Sequence, residues 1–140
     1  MNGKKGLGLV YHGGKKMVWG KGATAGDFVF LSGSEARGAE DDVTVDGIKA
    51  QTELALDRIK TRLEGAGTSI ENVVKFVWYL ADRAQEQAFY EARDNWLARN
   101  APLLFKDRSY ASTLLIVGLA RHDMLIEIDC IAYIALKNSR

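Results

Sequence analysis

Two carboxylates near the end of the chain have the residue type and spacing to do chemistry. Glu127 and Asp129 stand two positions apart in a run, Met124–Ile134, that carries no other charge. Side chains alternate across a strand, so both carboxylates would lie on one face about 6.5–7 Å apart. Held in a partly buried cleft, such a carboxylate can orient a water or accept a proton.

A second interpretation of this pair stays open. It is a solvated face on which both carboxylates pair with Lys or Arg of a neighbouring strand, and it fits Asp129 better than Glu127. Leu125 and Ile131 lie on the same face and favour at least partial burial. The opposite face is apolar and suits packing under helices, and it comprises Met124, Ile126, Ile128, Cys130, Ala132 and Ile134.

Other chemistry-bearing residues give weaker patterns. Cys130 lies on the apolar face, which predicts a small core residue rather than a nucleophile. His12 stands in a glycine-rich turn without a partner nearby in sequence, which predicts a surface histidine. No Cys/His cluster indicates zinc, and the glycines between Gly3 and Gly14 lack the strand–GxGxxG–helix context of a phosphate site. We therefore expect neither a metal nor a cofactor.

Composition narrows the function classes. The 140 residues and 15.5 kDa predict a single domain over 1–140. With 19 Lys+Arg against 18 Asp+Glu, the net charge of +1 argues against nucleic acid as the main partner. The basic N-terminal lysines, among them Lys4 and Lys15, are predicted to be a solvated arm. No apolar run reaches membrane-spanning length, so we expect a cytoplasmic protein with no membrane partner.

The elements that must position the carboxylates begin with three short apolar runs, which predict strands. Turns are expected at the Gly-Gly pair after His12 and at the Gly-Asp pair before Phe28. The polar stretch of residues 34–46 predicts a loop. The three strands are Leu9–Tyr11, Met17–Trp19 and Phe28–Leu31.

Two helices follow from apolar stripes at three- and four-residue steps. The first is Ile48–Glu64, with Asp46 as its N-terminal cap and Gly65 or Gly67 as its left-handed stop. The second is Ala84–Arg99, and its predicted core residues are Ala88, Phe89, Ala92 and Trp96.

Three more strands complete the pattern: Val73–Leu80, Thr113–Val117 and Met124–Ile134. The short connection between the last two predicts an antiparallel hairpin. The order β-β-β-α-β-α-β-β predicts an α+β domain with helices on one side of a sheet.

Several segments of this pattern resemble the YjgF/Rid family of imine and enamine deaminases. IEIDCIAYI resembles the family's terminal strand, and GDFVFLSG resembles its glycine-strand-SG segment. AQTELALDRIKTRLEGAGTSIENVVKFVWYLAD and YEARDNWLARNAP resemble its helices and the strand between them. The resemblance covers nearly the whole chain. It implies a chorismate-mutase-like α+β fold, a mixed β-sheet with two helices on one face, assembled into a trimeric barrel with clefts between subunits.

The resemblance also implies site residues. The family's glutamate, which is associated with the attacking water, falls on Glu127. The SG segment falls on Ser32 and Gly33. The family's tyrosine near the first strands falls on Trp19, and an asparagine in the second helix falls on Gln87. The implied partners are a small-molecule substrate and two further copies of the chain.

The family's substrate-binding arginine is missing from its place. The position falls on Ala111, followed by Ser112, while Arg108 stands three residues earlier in a stretch longer than the family norm. Either the loop shifts and Arg108 enters the cleft, or the carboxylate clamp is lost. We favour loss, because the chain from Thr113 continues the strand without an obvious bulge. The chain then represents a divergent subgroup, for which 2-imino acids are poor substrates. Trp19 in place of tyrosine favours a flat or apolar ligand.

Three functions are compatible with these residues. The first is a hydrolytic deaminase of a small imine or enamine, with Glu127 orienting the water. The alternative is a non-catalytic trimer that binds a small ligand in the same cleft, as a sensor or chaperone-like protein. An RNase-like activity is a third, and the near-zero net charge argues against it.

Overall fold

Five short strands precede the first helix. The computed structural model describes residues 3–38, 40–42 and 44–135. The three predicted strands are confirmed, and two short glycine-containing strands, too brief for an apolar alternation, were missed by the sequence pattern. The five are β1 (Lys5–Gly6), β2 (Leu9–His12), β3 (Lys15–Gly20), β4 (Gly22–Ala25) and β5 (Phe28–Ser34).

Both predicted turns are confirmed. Gly13 and Gly14 have φ of +58° and +76° and close the β2–β3 hairpin. Gly26 has φ of +58° and begins the two-residue connection from β4 to β5. Positive φ is the region that glycine enters without a steric penalty, so these hairpins follow from local sequence.

Three helices and three strands make up the rest of the described chain. The third helix is short and was not predicted; it begins with the chain's single proline, a residue suited to the first turn of a helix. None of the helices within the described ranges is long and apolar enough to cross a membrane. The elements are α1 (Ile48–Gly65), β6 (Val73–Leu80), α2 (Glu86–Asn100), α3 (Pro102–Asp107), β7 (Ala111–Ile116) and β8 (Ile126–Tyr133).

The predicted helix ends are half right. Gly67 has φ of +89°, and the next residue donates its N–H to the Leu63 carbonyl at 3.0 Å, which ends α1 as expected. Asp46 does not cap the helix: Gly47, with φ of +90°, is the capping residue, and no side chain bonds the first turn. On α2, Ala88 was predicted to be a core residue but is exposed, whereas Leu97 was not predicted and is buried.

The predicted hairpin between the last two strands is wrong. The six-stranded sheet has the order β1-β4-β5-β8-β6-β7, and β2 and β3 form a separate pair. Helices α2 and α3 carry the chain back over the sheet, so β7 runs parallel to β6. Residues 117–125 then cross the end of β6, and β8 pairs antiparallel with both β5 and β6. The central strand of the sheet is therefore the last one.

Alternation along β8 is confirmed and separates core from cleft. The apolar face, from Ile126 to Ala132, is buried under α1, while Glu127, Asp129 and Ile131 are half-buried on the other face. Burial raises the pKa of the Cys130 thiol to about 12, so it stays protonated and acts as a small core residue.

Gln51 of α1 fixes the segments that flank the last strand. Its Nε2 donates to the carbonyls of Val45 at 2.9 Å and Asp123 at 2.8 Å, and its Oε1 accepts the Leu125 N–H at 2.8 Å. Gln51 is buried and its three hydrogen bonds are partly buried, so their loss would be only partly replaced by water. The Gln51 side chain thus connects the segment before α1 with the segment before β8.

Gln51→Leu should lower the free energy of unfolding by about 2–4 kcal/mol, because it leaves several partly buried backbone groups unpaired. Chemical denaturation of the variant measures this. Lys49→Leu, at an exposed position of the same helix, is the control and should change stability by less than about 0.5 kcal/mol. Equal effects of the two substitutions would contradict the assigned role.

Candidate functional site

One cleft collects several of the residues singled out in the sequence. It lies where the β2–β3 hairpin, the end of β5, α1 and β8 meet, and its volume is about 470 Å³. It brings together four predicted site residues, Trp19, Ser32, Gly33 and Glu127. Its other lining residues are Leu9, Val10, Tyr11, His12, Lys21, Glu35, Arg37, Arg58, Arg62 and Ala120.

Glu127 lies directly against the backbone of Gly33. The ladder between β5 and β8 shifts register between Leu31 and Ser34, so the two residues between them lack partners on β8. A Cβ at Gly33 would stand 2.9 Å from the Glu127 Cδ, closer than atoms can approach. Glycine at this position is therefore what allows the carboxyl group to occupy this place.

The Glu127 carboxyl is unpaired. It makes no hydrogen bond or ion pair with any residue in the described ranges, although it is half-buried. Burial, and then the nearby carboxylates of Glu35 and Asp129, raise its pKa to about 7. A carboxyl with this pKa exists in both protonation states near neutral pH, as a group that takes and returns a proton must.

Asp129 has a different environment from Glu127. Its Oδ2 accepts a hydrogen bond from the Tyr79 hydroxyl at 2.9 Å, and this bond raises the pKa of Tyr79. Within the described residues neither Asp129 nor Glu127 forms an ion pair with Lys or Arg. The single chain thus shows no salt bridge of the kind that the second interpretation requires.

The β2–β3 hairpin and β5 form one wall of the cleft. The Ser32 hydroxyl donates to the Gly20 carbonyl at 2.6 Å, which joins the end of β3 to β5. The Trp19 ring meets the edge of the His12 ring, with centroids 6.0 Å apart. His12 Nε2 lies 3.5 Å from Glu35 Oε1. His12 is thus a cleft residue, and its prediction as a surface histidine is wrong because its partner lies 23 positions away.

Two arginines of the cleft were missed by the sequence analysis. Arg58 and Arg62 stand one turn apart on α1, beside the apolar stripe, and that spacing was the available signal. Nη1 of Arg58 donates to the carbonyls of Glu35 and Arg37, the latter at 2.7 Å. Burial lowers the pKa of both guanidinium groups, which nevertheless stay charged at neutral pH.

The remaining predicted site residues lie away from this cleft within one subunit. Arg108 ends α3 with φ of +51° and lines a separate cavity together with Ser112. The Ser112 hydroxyl accepts the Trp78 indole N–H at 2.8 Å. Ala111, at the start of β7, and Gln87, on α2, are both exposed. Their roles stay predictions, because the predicted site lies between subunits.

Comparison with solved structures shows the class of fold. RidA from an Antarctic Psychrobacter superposes with a TM-score of 0.71 at 26% identity, over 84% of this chain and 89% of that one. YyfA of Yersinia pestis, described as a Rid-family protein of unknown function, gives 0.76 at 17% identity, over 93% and 98%. The fold is that of the Rid-type α+β proteins.

Sequence comparison shows the family. The family model described as endoribonuclease L-PSP matches residues 17–134. A RutC family protein of Pyrococcus horikoshii is 33% identical over 110 residues, which span 78% of this chain and 81% of that protein. The chain therefore belongs to the endoribonuclease L-PSP family, which is also the YjgF/RutC family. This membership supports a function that involves a small molecule.

Gly33→Ala should displace the Glu127 carboxyl without unfolding the chain, because the new methyl group meets the flexible end of that side chain. A crystal structure of the variant would show the displacement, and thermal unfolding would show the retained fold. Gly65→Ala is the control, since a Cβ there meets nothing within 4 Å. A Glu127 carboxyl that stays in place in Gly33→Ala would contradict the assigned packing.

Proposed function

We propose that the cleft hydrolyses the C=N bond of a small imine, or of an enamine through its imine form. One observation carries the proposal: the half-buried Glu127 carboxyl has no hydrogen-bond or ion-pair partner among the described residues, lies against Gly33 and has a pKa of about 7. Membership of the family supports a small-molecule substrate. The family description names a ribonuclease, but a net charge of +1 provides no overall attraction for RNA.

The reaction requires a water molecule and one group that can take and return protons. Ionised Glu127 takes a proton from a water, whose oxygen forms a bond to the imine carbon while the C=N π electrons move to nitrogen, and Glu127 passes that proton to the nitrogen. Ionised again, Glu127 takes the proton of the new hydroxyl group as the C=O bond forms and passes it to the amine as the C–N bond breaks, so that ammonia and a carbonyl compound leave. The balance is imine plus water to carbonyl plus ammonia. A carboxyl with a pKa near neutrality performs both transfers.

Glu127 suits this role better than Asp129. Asp129 already accepts a hydrogen bond from Tyr79, whereas neither Glu127 oxygen accepts one from a described residue. Trp19, which lines the same cleft, provides an apolar surface against which a small ligand can pack.

We also propose that the chain functions as a homotrimer. Support comes from the strand side chains, since large apolar residues on β2, β3, β5, β7 and β8 are exposed in the single chain, and Val18 is almost fully so. Surfaces of this kind mark association sites. The exposed apolar strand residues are Leu9, Tyr11, Val18, Trp19, Phe28, Phe30, Leu115 and Tyr133.

Light scattering should give a mass of about 47 kDa, three times that of the 15.5 kDa chain. Phe30→Glu, which adds a charge to the exposed apolar surface of β5, should reduce the mass toward that of one chain. Lys49→Glu, on the exposed side of α1, is the matched charge control and should leave the trimer intact. A single-chain mass for the unaltered protein would refute the trimer.

Glu127→Gln should reduce ammonia release at least about 100-fold, because the amide can neither take nor return a proton. Asp129→Asn, the matched change two positions away, should stay within about three-fold. The assay supplies 2-iminobutyrate and 2-iminoglutarate, generated by amino-acid oxidases, and follows ammonia above the uncatalysed rate. 2-Iminoglutarate carries a second carboxylate away from its C=N bond, whereas 2-iminobutyrate does not and is expected to be the poorer substrate. An absence of Glu127-dependent release from 2-iminoglutarate would overturn the proposal.

The pH dependence has a definite sign. Because ionised Glu127 takes the first proton, kcat/KM should rise with pH through about 7 and then level off. The uncatalysed rate, measured in parallel at each pH, provides the correction. A profile that rises near pH 4.5, the ordinary value for glutamate, would contradict the environment assigned to Glu127.

A further inference from the structure

Arg62 is an unpaired charge facing the cleft. Its guanidinium is half-buried and makes no hydrogen bond or ion pair with any described residue. Arg58 stands one helical turn away, and like charges at this spacing repel each other. Arg58 is held by two backbone carbonyls, not by a carboxylate. Two adjacent arginines that form no ion pair with a carboxylate of the described residues are suited to binding an anion.

The other charges in this part of the cleft leave the positive charge uncompensated. Lys21 lines the same cleft and has no side-chain partner in the described ranges. Asp42 is shared by Arg37 and Arg121, the latter at 3.0 Å. The Glu35 carboxylate lies beside His12. Among the described residues that line the cleft, the only carboxylate besides that of Glu35 is that of Glu127.

The arginines and Glu127 lie at different points along the same wall. Glu127 stands at Gly33, whereas Arg58 bonds the carbonyls of Glu35 and Arg37, two and four residues further on. Ser34, next to Gly33, bonds the Ala55 carbonyl, and Arg62 stands seven residues, about 10 Å along α1, beyond Ala55. The Glu35 carboxylate lies between the two groups and affects the pKa of Glu127 and of both arginines.

We propose that Arg62, with Arg58 beside it, binds a carboxylate of the substrate that lies several bonds away from the reacting C=N group. The proposal rests on the proposed function for the place of the reacting bond at Glu127. In a 2-imino acid the carboxylate is attached to the reacting carbon itself, so it would lie at Glu127 and out of reach of Arg62. The cleft therefore selects acids whose charge is at the far end of the molecule. The absence of arginine at position 111 agrees with this selection.

Two isomers test the selection, with a carbonyl in place of the imine. 2-Oxohexanoate has its carbonyl next to the carboxylate, and 5-oxohexanoate has it at the far end. Calorimetry should show at least about ten-fold tighter binding of 5-oxohexanoate, because only this isomer reaches both Glu127 and Arg62. Equal affinity, or tighter binding of 2-oxohexanoate, would overturn the proposal.

Variants of Arg62 test whether this residue binds 5-oxohexanoate. Arg62→Gln should weaken 5-oxohexanoate at least about ten-fold and leave 2-oxohexanoate nearly unchanged. The affinity of Arg62→Lys for 5-oxohexanoate should lie between those of Arg62→Gln and the unaltered protein, because lysine keeps the charge and loses the two-pronged geometry of the guanidinium group. Arg99→Gln, the same change at an exposed position of α2, should bind like the unaltered protein. Equal affinity of Arg62→Gln and the unaltered protein for 5-oxohexanoate would contradict the assignment.

Two further measurements distinguish a failure of the deaminase proposal from a failure of the carboxylate-binding proposal. Glu127→Gln should still bind 5-oxohexanoate, so a failure of the deaminase proposal is seen in ammonia release and not in this binding. Inorganic phosphate, titrated alone, distinguishes the anion. If phosphate binds through Arg62 more tightly than 5-oxohexanoate does, the assignment to a carboxylate is overturned.

Discussion

The register shift between β5 and β8 is the constraint on which the site depends. The two strands pair regularly up to Leu31 and again from Ser34, and the residues between them have no partner on β8. Glycine at position 33 leaves a space that the Glu127 carboxyl fills. Because β8 is the central strand, bonded on both sides, this position is determined by the whole sheet. The raised pKa of Glu127 follows, since the carboxyl is partly withdrawn from water and receives no hydrogen bond in return.

The separation of charges across the cleft follows from the same arrangement. Helix α1 packs on the buried face of the sheet, and Ser34 donates its hydroxyl to the Ala55 carbonyl at 2.8 Å, which sets the helix against β5. The next turns of α1 present Arg58 and Arg62 to the chain that continues beyond Ser34. The cleft thus contains the Glu127 carboxyl and, further along α1, two arginines. The proposed substrate, with a C=N bond and a distant negative charge, would complement both groups.

Local pattern was enough to predict most of the elements, and long-range pairing was not. The alternation along β8 and the apolar stripe of α1 are properties of consecutive residues, so they are visible in the sequence. The partner of β7 is not, because a short connection is equally compatible with a hairpin and with a crossing to the far side of β6. His12 and Arg62 were missed for the same reason. Glu35 is 23 positions from His12. Arg62 is recognisable as a site residue only once four separate segments have come together to form the cleft.

The central claim is that Glu127 is an unpaired carboxyl held at the register shift with an unusual proton affinity. A ¹³C NMR titration of the side-chain carboxyl carbons of glutamate, assigned with Glu127→Gln, measures this affinity directly in the assembled protein. The structure predicts a midpoint near pH 7 for Glu127. A midpoint near 4.5, the ordinary value, would show that water or another group stabilises the ionised form and would contradict the account.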